Sequence, residues 1–515
     1  MSPRAARRPA IVLIGFMGAG KTTGARMIAG ALRARMVDTD KRIEKHVGTT
    51  IPQYFAKEGE AAFREVEEQV TLEILGRADG DVVSLGGGTL GSAKVREALR
   101  EHVVVLLQVS LPTAWRRAKR SSRPLAKDRG AFEALYHERQ AVYEQVADVI
   151  LPEVDRQLLR PAIPVIRTVK EARGAQMLWA HTDSGGYPVW FKPGLLRELP
   201  PWPLPESSRR IAVTDEHVAE HHAGRVPGLA GLIEFPAGEA HKTLATCERV
   251  WGAMIDQGAT RSDHVVAIGG GVVGDLAGFV AATFQRGIPV VQVPTTLVAQ
   301  VDSAYGGKTG VDLPAAKNYV GAYHQPAAVM VDPDALETLP REELAAGYAE
   351  VVKTALIAGG GLWEHVSSGA PVDPLTVMRC ARTKLQVVAD DERDGGRRQV
   401  LNLGHTIGHA IETVTDYRRY RHGEAVGLGL LAALRLSGQD ALRDQVSGLL
   451  EHAGLPTTMD AAIDVDEVHA ATAKDKKRVG SAPVPFVVVR EPGDVRFGQQ
   501  LAAKDVRAAV AELAP

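Results

Sequence analysis

The sequence predicts two α/β domains with parallel sheets, followed by a mainly α-helical domain. Three observations carry this. At 515 residues the chain exceeds what one hydrophobic core ordinarily organises, and length alone favours roughly two to four domains. Short apolar runs alternate with longer helical periods over residues 11–164 and again over 210–331, the pattern of α/β units whose strands pair in parallel. Beyond about residue 340, β-branched runs give way to Ala, Leu, Glu and Arg in helical periods, until a last short apolar stretch at 484–489.

In chain order, the first domain, 1–168, is expected to place strands at 11–14, 82–85 and 103–109. The following stretch loses periodicity and ends in Asp183-Ser184-Gly185-Gly186, a turn-rich composition that reads as a linker over 169–186. An α/β domain over 187–339 then has strands expected at 210–214, 264–268, 290–293 and 328–331, and the helical domain covers 340–515.

Composition narrows the function. Hydrophobic residues make up 45% and charged residues 24%, and the formal net charge is -1. These are globular values, with no general field for capturing nucleic acid or a membrane, so any anion site must be local. Two cysteines, Cys247 and Cys380, cannot build a disulfide framework. Arg4, Arg7 and Arg8 precede an apolar run, but Gly15 and Lys21 interrupt it at strand length, so a signal peptide is not expected. No apolar stretch approaches the roughly 20 residues that span a bilayer. A cytoplasmic protein is expected.

The first chemical signal is Gly15-Phe16-Met17-Gly18-Ala19-Gly20-Lys21-Thr22, the G-x-x-x-x-G-K-[ST] pattern between an apolar strand and a helical segment. Glycines let consecutive N–H groups face phosphate oxygens, Lys21 brings a point charge to the β/γ-phosphates, and Thr22 can ligate Mg²⁺. Gly18, Ala19, Gly20, Lys21, Thr22 and Thr23 are therefore the expected ATP-binding residues. Asp38-Thr39-Asp40 follows a short strand, Arg64 sits in a helical stretch, Gly86-Gly87-Gly88 closes another strand, and Arg123-Pro124-Leu125 lies in a basic, lid-like segment before Arg139. Each has an ordinary structural reading as a cap, a turn or a solvated face.

In this order after this P-loop, Gly-Phe-Met-Gly-Ala-Gly-Lys, Val-Asp-Thr-Asp, Phe-Arg, Gly-Gly-Gly-Thr and Arg-Pro-Leu resemble shikimate kinase. The resemblance implies an α/β P-loop kinase domain in which Asp40, Arg64, Gly87 and Arg139 hold shikimate. Asp38 would stand near Mg²⁺, Asp40 would orient or deprotonate the attacking hydroxyl, and Arg123 would close over ATP and the transferring phosphoryl group. A small anionic triol needs arginines for its carboxylate and a carboxylate to aim one hydroxyl at the γ-phosphate.

In the second half, Gly269-Gly270-Gly271-Val272-Val273-Gly274 fits G-x-G-x-x-G after a strand-like run, but Asp275 follows at once and no acid ends the next strand. An ordinary dehydrogenase fingerprint is therefore not met. Arg286, Asp302, Lys308, Lys317, Asn318 and His324 crowd the next stretch, which a surface loop would accommodate; Glu350, Lys353, Lys384, Arg398 and Asn402 follow. His405 and His409 are one helical turn apart, a zinc-compatible spacing, and His422 competes with them; spacing alone does not choose the pair.

The ordered motifs Gly-Gly-Gly-Val-Val-Gly-Asp, Pro-Thr-Thr-Leu-Val-Ala-Gln-Val-Asp-Ser, Gly-Gly-Lys-Thr-Gly-Val, Lys-Asn, Tyr-Ala-Glu-Val-Val-Lys, Leu-Asn-Leu-Gly-His-Thr-Ile-Gly-His and His-Gly-Glu resemble 3-dehydroquinate synthase from residue 187 to 515. That family implies a Rossmann-like NAD-binding domain and a helical metal-binding domain. It implies zinc, with cobalt acceptable to similar ligands, on Glu350, His405 and His422. NAD would meet Asp215, Glu239, Lys242, Gly270, Gly271, Asp275, Thr295, Thr296, Lys308, Lys317 and Asn318. The substrate, 3-deoxy-D-arabino-heptulosonate 7-phosphate, would meet Arg286, Asp302, Lys308, Lys317, Asn318, Lys353, Lys384, Arg398 and Asn402. Catalytic roles fall to Lys308, Lys353, Arg398 and His409, the last near the substrate as an acid-base or phosphate-contacting group. Lys474-Asp475-Lys476-Lys477 resembles a late lysine motif whose contacting lysine stays open. Asp394 stands where the family pattern has glutamate and is left outside the site. A homodimer through the C-terminal half is compatible with this reading.

The implied cyclisation oxidises an alcohol with NAD, eliminates phosphate, returns the hydride and closes the ring by an aldol step, so NAD is recycled. Rival readings are a regulatory or gluconate-type kinase, a non-catalytic scaffold in either half, and an NAD- and metal-dependent polyol dehydrogenase, which would release NADH. The two implied reactions are not consecutive, so fusion is expected to serve co-expression or mutual stability rather than handover. Expressed apart, the halves should then lose thermal stability or turnover relative to the full chain; unchanged melting and unchanged rates would remove stability as the reason.

Overall fold

The structure is a computed structural model that describes residues 7–119, 128–172, 174–314, 316–473 and 484–515. The chain forms two compact units, Met1–His181 with Gly185–Trp190, and Thr182–Ser184 with Phe191–Pro515.

The smaller unit runs β1 (Ile11–Ile14), α1 (Lys21–Leu32), β2 (Met36–Asp38), α2 (Thr39–Val47), α3 (Ile51–Arg77), β3 (Val82–Ser84), α4 (Ala93–Leu99), β4 (Val103–Leu107), α5 (Leu111–Ala118), α6 (Arg129–Val146), β5 (Val149–Leu151), α7 (Ile163–Thr168), β6 (Gln176–Thr182) and β7 (Gly185–Phe191). Its parallel strands lie in the order β2-β3-β1-β4-β5-β6. β1 and β4 are buried along their whole lengths, which is why they read as unbroken apolar runs: helices cover both faces of such a sheet. Strand order reverses on either side of β1, so the loop after β1 opens at the switch point where α/β sheets bind ligands.

The linker expected over 169–186 is instead structured. Val169–Ala172 makes a 3-10 turn, and β6 pairs in parallel with β5. Met177, Leu178, Trp179 and Ala180 are all buried, so β6 shows neither the alternation of a half-exposed strand nor the length of a helix, and its signal is lost. The boundary expected at 187 falls inside β7.

The larger unit begins with β8 (Arg210–Asp215), α8 (Glu216–His222), β9 (Leu229–Phe235), α9 (Leu244–Asp256), β10 (His264–Gly269), α10 (Gly271–Thr283), β11 (Val290–Pro294), β12 (Lys308–Leu313), β13 (Ala316–Tyr323) and β14 (Ala328–Val331). Within it, a parallel sheet takes the order β14-β11-β10-β8-β9. Val213, Met254, Val265, Leu276 and Val290 belong to the core beneath α9 and α10. The polar stretch read as a surface loop is a π-helical turn, Ala299–Ser303, followed by the antiparallel hairpin β12–β13.

The rest is mostly helical, as expected: α11 (Arg341–Ala358), α12 (Gly360–Ser367), α13 (Pro374–Asp390), α14 (His405–Val414), α15 (His422–Leu436), α16 (Asp440–His452), α17 (Val465–Thr472), the hairpin β15 (Phe486–Glu491) and β16 (Asp494–Gln499), and α18 (Ala503–Ala511). Two glycines on α15 set its depth. A Cβ at Gly423 would lie 1.8 Å from the Ala346 carbonyl oxygen, and one at Gly429 would lie 2.0 Å from that of Gly404. Only bare backbone lets α15 approach α11 and the start of α14 this closely. No helix among the described residues is long and apolar enough to cross a membrane.

His264 gives the larger unit a pH-dependent stability. Trp202 Nε1 donates to His264 Nε2 at 2.9 Å, and Ser208 Oγ lies 2.7 Å from Nδ1. Indole can only donate, so Nε2 carries no proton and the buried ring is neutral. Burial, reinforced by Arg210, pushes its pKa down to about 4. The unfolded histidine, near pH 6.5, takes its proton first as pH falls, so this contribution is present above about pH 6.5 and lost towards about pH 4. Replacing His264 by Gln should therefore remove about 2 kcal/mol of the stability loss between about pH 7 and about pH 5. Urea unfolding of wild type and His264→Gln at both pH values checks this; parallel losses in the two proteins would refute it.

Candidate active sites of the two units

In the smaller unit the loop between β1 and α1 is shaped by glycine. Gly15, Gly18 and Gly20 have φ of 141°, 81° and 82°, which side-chain-bearing residues rarely adopt. Gly15 also has no room: a Cβ there would lie 2.6 Å from the Leu107 carbonyl oxygen. Ala19 N–H closes the turn onto Phe16 O at 3.2 Å. Lys21, at the start of α1, donates to Gly15 O at 2.8 Å. Beside it Thr22 Oγ1 donates to Asp38 Oδ2 at 3.0 Å, joining a hydroxyl and a carboxylate that could share a divalent cation. Thr23 follows on the same helix.

Asp38 ends β2 and Asp40 lies in the first turn of α2. Between them, Thr39 Oγ1 donates to Ser84 O at 3.1 Å and accepts from Gly86 N–H at 3.0 Å, pinning the Gly86-Gly87-Gly88 turn beside α2. A Cβ on Gly86 would lie 3.0 Å from Asp40 Oδ1 and 2.8 Å from Glu67 Oε1. Across the turn, Arg139 Nη1 and Tyr143 OH both donate to Gly87 O at 2.8 Å. Arg64 is aimed by Glu67 at 2.6 Å and Glu60 at 3.2 Å. Arg64, Glu67, Gly87, Arg139 and Tyr143 line one cavity of about 730 Å³. Arg123 lies outside the described residues.

In the larger unit, Glu350 and Lys353 are successive turns of one α11 face, each 1% exposed. Glu350 meets Lys353 in an ion pair and faces His405 Nε2 at 3.5 Å and His422 Nε2 at 3.6 Å. Burial alone would raise the Glu350 pKa; the Lys353 charge and His422 outweigh it and carry it down to about 2. Neither carboxylate oxygen has a hydrogen-bond partner of good geometry. Donor atoms of Glu350, His405 and His422 lie within 4.8 Å of one another, and so do those of His409, Glu412 and His422. A carboxylate with two imidazoles is a transition-metal donor set. The helical neighbours His405 and His409 thus fall into different sets.

Around this cluster the predicted cations are paired. Lys384 Nζ lies 2.9 Å from Asp302 Oδ1, and Lys353 Nζ lies 3.9 Å from it. Lys308 pairs with Asp394, which sequence reasoning left outside the site. Buried Arg398 donates to Gly306 O at 3.0 Å. Lys317 reaches Glu239 at 3.5 Å and Glu412 at 3.7 Å. Lys242 meets Glu239 at 3.1 Å and Asp275 at 3.3 Å; burial disfavours its charge, but Asp275 and Glu239 push its pKa up.

The glycine turn between β10 and α10 faces Thr296 and Ser303: a Cβ on Gly270 would lie 2.8 Å from Thr296 Cγ2, and one on Gly271 would lie 3.2 Å from Ser303 Oγ. Thr295 Oγ1 is buried without a hydrogen-bond partner. This cradle at the end of β10 could take a nucleotide's phosphates. Asp215 caps α8 at Val218 N–H (2.9 Å), and Asn318, at φ 54°, donates its N–H to Asp312 Oδ1 at 2.7 Å. Arg286 and Asn402 close short 3-10 turns, and no hydrogen bond or ion pair joins them to the cluster among the described residues. Lys474-Asp475-Lys476-Lys477 lies outside the described residues. Sequence reasoning missed Glu412 and Asp312; for Glu412 the signal was present, since 405, 409 and 412 form one helical stripe.

Comparison with known proteins follows the two units. The shikimate kinase family model matches residues 17–167. The models for the N-terminal and C-terminal parts of 3-dehydroquinate synthase match 232–346 and 347–478. The 3-dehydroquinate synthase of Halorhodospira halophila (strain DSM 244 / SL1) is 44% identical over 332 residues, covering 61% of this chain and 93% of that protein. That of Legionella pneumophila (strain Lens) is 39% identical over 305 residues, covering 56% and 82%. Among solved structures, 2-epi-5-epi-valiolone synthase from Streptomyces hygroscopicus subsp. jinggangensis 5008, with NAD+ and Zn2+ bound, aligns with a TM-score of 0.57 and 26% identity over 64% of this chain and 96% of that one.

Metal loading should be proton-coupled. Burial would lower the His422 pKa, but Glu350 and Glu412 carry it up to about 10. Its ring must shed a proton to ligate a metal, so Zn²⁺ affinity should rise from about pH 6 to about pH 8 with proton release. His405→Ala should weaken affinity at both. Chelator-competition titrations measure this, and an affinity independent of pH would contradict it.

Proposed function

This chain belongs to the 3-dehydroquinate synthase family in its larger unit and carries a shikimate kinase domain in its smaller one, and we propose how its residues divide the two reactions. The chain is a bifunctional shikimate-pathway enzyme. It phosphorylates shikimate with ATP, and it cyclises 3-deoxy-D-arabino-heptulosonate 7-phosphate to 3-dehydroquinate with release of phosphate. We assign the smaller unit to the kinase and, within the larger unit, the α/β part up to residue 339 to dinucleotide binding and 340–515 to metal and substrate binding.

In the kinase, the Gly18–Thr23 backbone and Lys21 hold the ATP phosphates, and Thr22 with Asp38 holds Mg²⁺. Arg64 and Arg139 take the shikimate carboxylate beside the Gly87 backbone. Asp40, beside Gly86, orients the attacking hydroxyl and takes its proton. Arg123 is assigned to the ATP phosphates.

In the cyclase, Glu350, His405 and His422 hold zinc, or cobalt in its place. The Gly270–Gly271 cradle, Thr295, Thr296, Asp275, Asp215, Glu239, Lys242, Lys317 and Asn318 hold NAD. When bound, zinc polarises the substrate alcohol and NAD accepts and returns hydride. The protein's own share is positional and protonic. Lys308, Lys353, Lys384, Arg398, Arg286 and Asn402 hold the substrate's phosphate and carboxylate, Asp302 keeps Lys353 and Lys384 aimed, and His409 moves a proton at the leaving phosphate. We also place the enzyme in the cytoplasm, consistent with its two free buried cysteines, and assign a homodimer contact to the larger unit.

One observation carries this reading: donors from α11, α14 and α15 converge within 4.8 Å beside Lys353, which pairs with the shared carboxylate. Metal-loaded protein with catalytic NAD should release many phosphates per NAD from 3-deoxy-D-arabino-heptulosonate 7-phosphate, and His405→Ala should release none. Stoichiometric NADH would instead identify a polyol dehydrogenase. For the other unit, shikimate-dependent ADP formation should fall at least about a hundredfold in Asp40→Asn.

A further inference from the structure

Two donor sets compete for one imidazole. His422 Nε2 faces Glu350 Oε1 at 3.6 Å, while its Nδ1 faces Glu412 Oε2 at 3.5 Å. Both Glu350–His405–His422 and His409–Glu412–His422 bring their donor atoms within 4.8 Å. A neutral ring offers a metal one lone pair, on the nitrogen without the proton. Where that proton sits therefore decides which set can form.

Glu412 is positioned to decide it. The residue is buried on the same α14 stripe as His405 and His409 and presents one oxygen to His422 Nδ1. Its other oxygen lies 3.7 Å from Lys317 Nζ, and Lys317 lies 3.5 Å from Glu239. A carboxylate held this way accepts and does not donate, so an N–H directed at it is favoured over a lone pair.

We propose that Glu412 is a positioning residue: it holds His422 as the Nδ1–H tautomer, directs the Nε2 lone pair at the Glu350–His405 side, and couples the metal donors through Lys317 and Glu239 to the dinucleotide cradle. His409 is thereby kept outside the metal set and retained for proton transfer. This rests on the assignment of zinc to Glu350, His405 and His422. Carboxylates behind ligating histidines typically contribute about 10- to 100-fold in metal affinity. Coupling between two ligands must be reciprocal, so zinc loading should change NAD affinity by the factor by which NAD changes zinc affinity.

The test uses the full chain and Glu412→Gln, whose amide offers N–H as readily as C=O and no charge to Lys317. Zinc affinity by chelator competition should weaken about 10- to 100-fold. The visible absorption of the Co²⁺-loaded protein should change shape, and the zinc-dependent change in NAD affinity should shrink towards none. His409→Ala should keep zinc affinity, whereas His405→Ala should lose it. If Glu412→Gln fails to fold, Lys317→Gln leaves every metal donor in place and should abolish the NAD–zinc coupling. Unchanged zinc affinity and cobalt spectrum in Glu412→Gln would overturn the proposal, as would unchanged coupling in Lys317→Gln. Loss of zinc in His409→Ala with retention in His405→Ala would assign the metal to the other donor set and also overturn it. A wild type that binds no zinc would bring down the functional assignment itself, a distinct failure.

Discussion

A mutually neutralising set of charges, Glu350, Lys353, Asp302 and Lys384, dictates the layout of the larger unit. An isolated buried charge is very costly, and removing one partner of a buried pair typically costs about 3–5 kcal/mol, so these groups must stay together. They come from three places: Glu350 and Lys353 from one face of α11, Lys384 from α13, and Asp302 from the π-helical turn. That turn is itself anchored. Gln300 Nε2 donates to Asp332 O at 2.8 Å and Tyr305 OH donates to Gln300 O at 2.6 Å, fixing the backbone that aims Asp302. π-turns recur at functional sites because one extra residue redirects a side chain without ending the structure around it.

The smaller unit solves its anion problem differently. Its phosphate loop relies on backbone conformation: glycines at positive φ turn N–H groups one way at the end of a buried strand, and Lys21 and Arg117 brace the loop through its carbonyl oxygens. Glu67, which accepts from Arg64 and also from Thr89 Oγ1 at 2.9 Å, fixes an arginine in the lining of a cavity that Gly87 and Arg139 also line. One cavity thus carries two guanidinium groups, the donors that suit a small carboxylate.

Much of this was legible in the sequence because the relevant signals were local. The strands at 11–14 and 328–331 have the expected ends, since buried parallel strands announce themselves as apolar runs. The phosphate loop reads directly, because its geometry depends on glycine. β6 was not legible, being short and buried without alternation, and β12–β13 was hidden by glycines and charges that resemble a loop. The two candidate metal sets were only half legible. His405 and His409 share a helix turn, but the place of His422 in both candidate sets depends on how closely α15 approaches α11 and the start of α14, which Gly423 and Gly429 set through contacts distant in sequence. Asp394 shows the converse limit: a shorter side chain than the family pattern has, it still reaches Lys308 from a backbone at φ 62°, a compensation that lives in the main chain and leaves no mark on residue type.

These pairings bear on specificity as well as stability. Several cations assigned to substrate or cofactor are already aimed by an acid: Arg64 by Glu60 and Glu67, Lys308 by Asp394, Lys384 by Asp302, Lys242 by Asp275 and Glu239, Lys317 by Glu239 and Glu412. Holding a long flexible cation beforehand removes the cost, roughly 0.5–1.5 kcal/mol per side chain, of ordering it on binding. The same acids make the site selective. An anion gains only the difference between its own contact and the internal one it joins or displaces, so a singly charged or misplaced ligand gains little. A ligand with phosphate and carboxylate at the right separation engages several such pairs together. On the proposed assignments, recognition in the larger unit depends on the spacing of charges already neutralised within the protein, and a conservative Lys-to-Arg exchange at any of them would disturb both the internal acid and the ligand it meets.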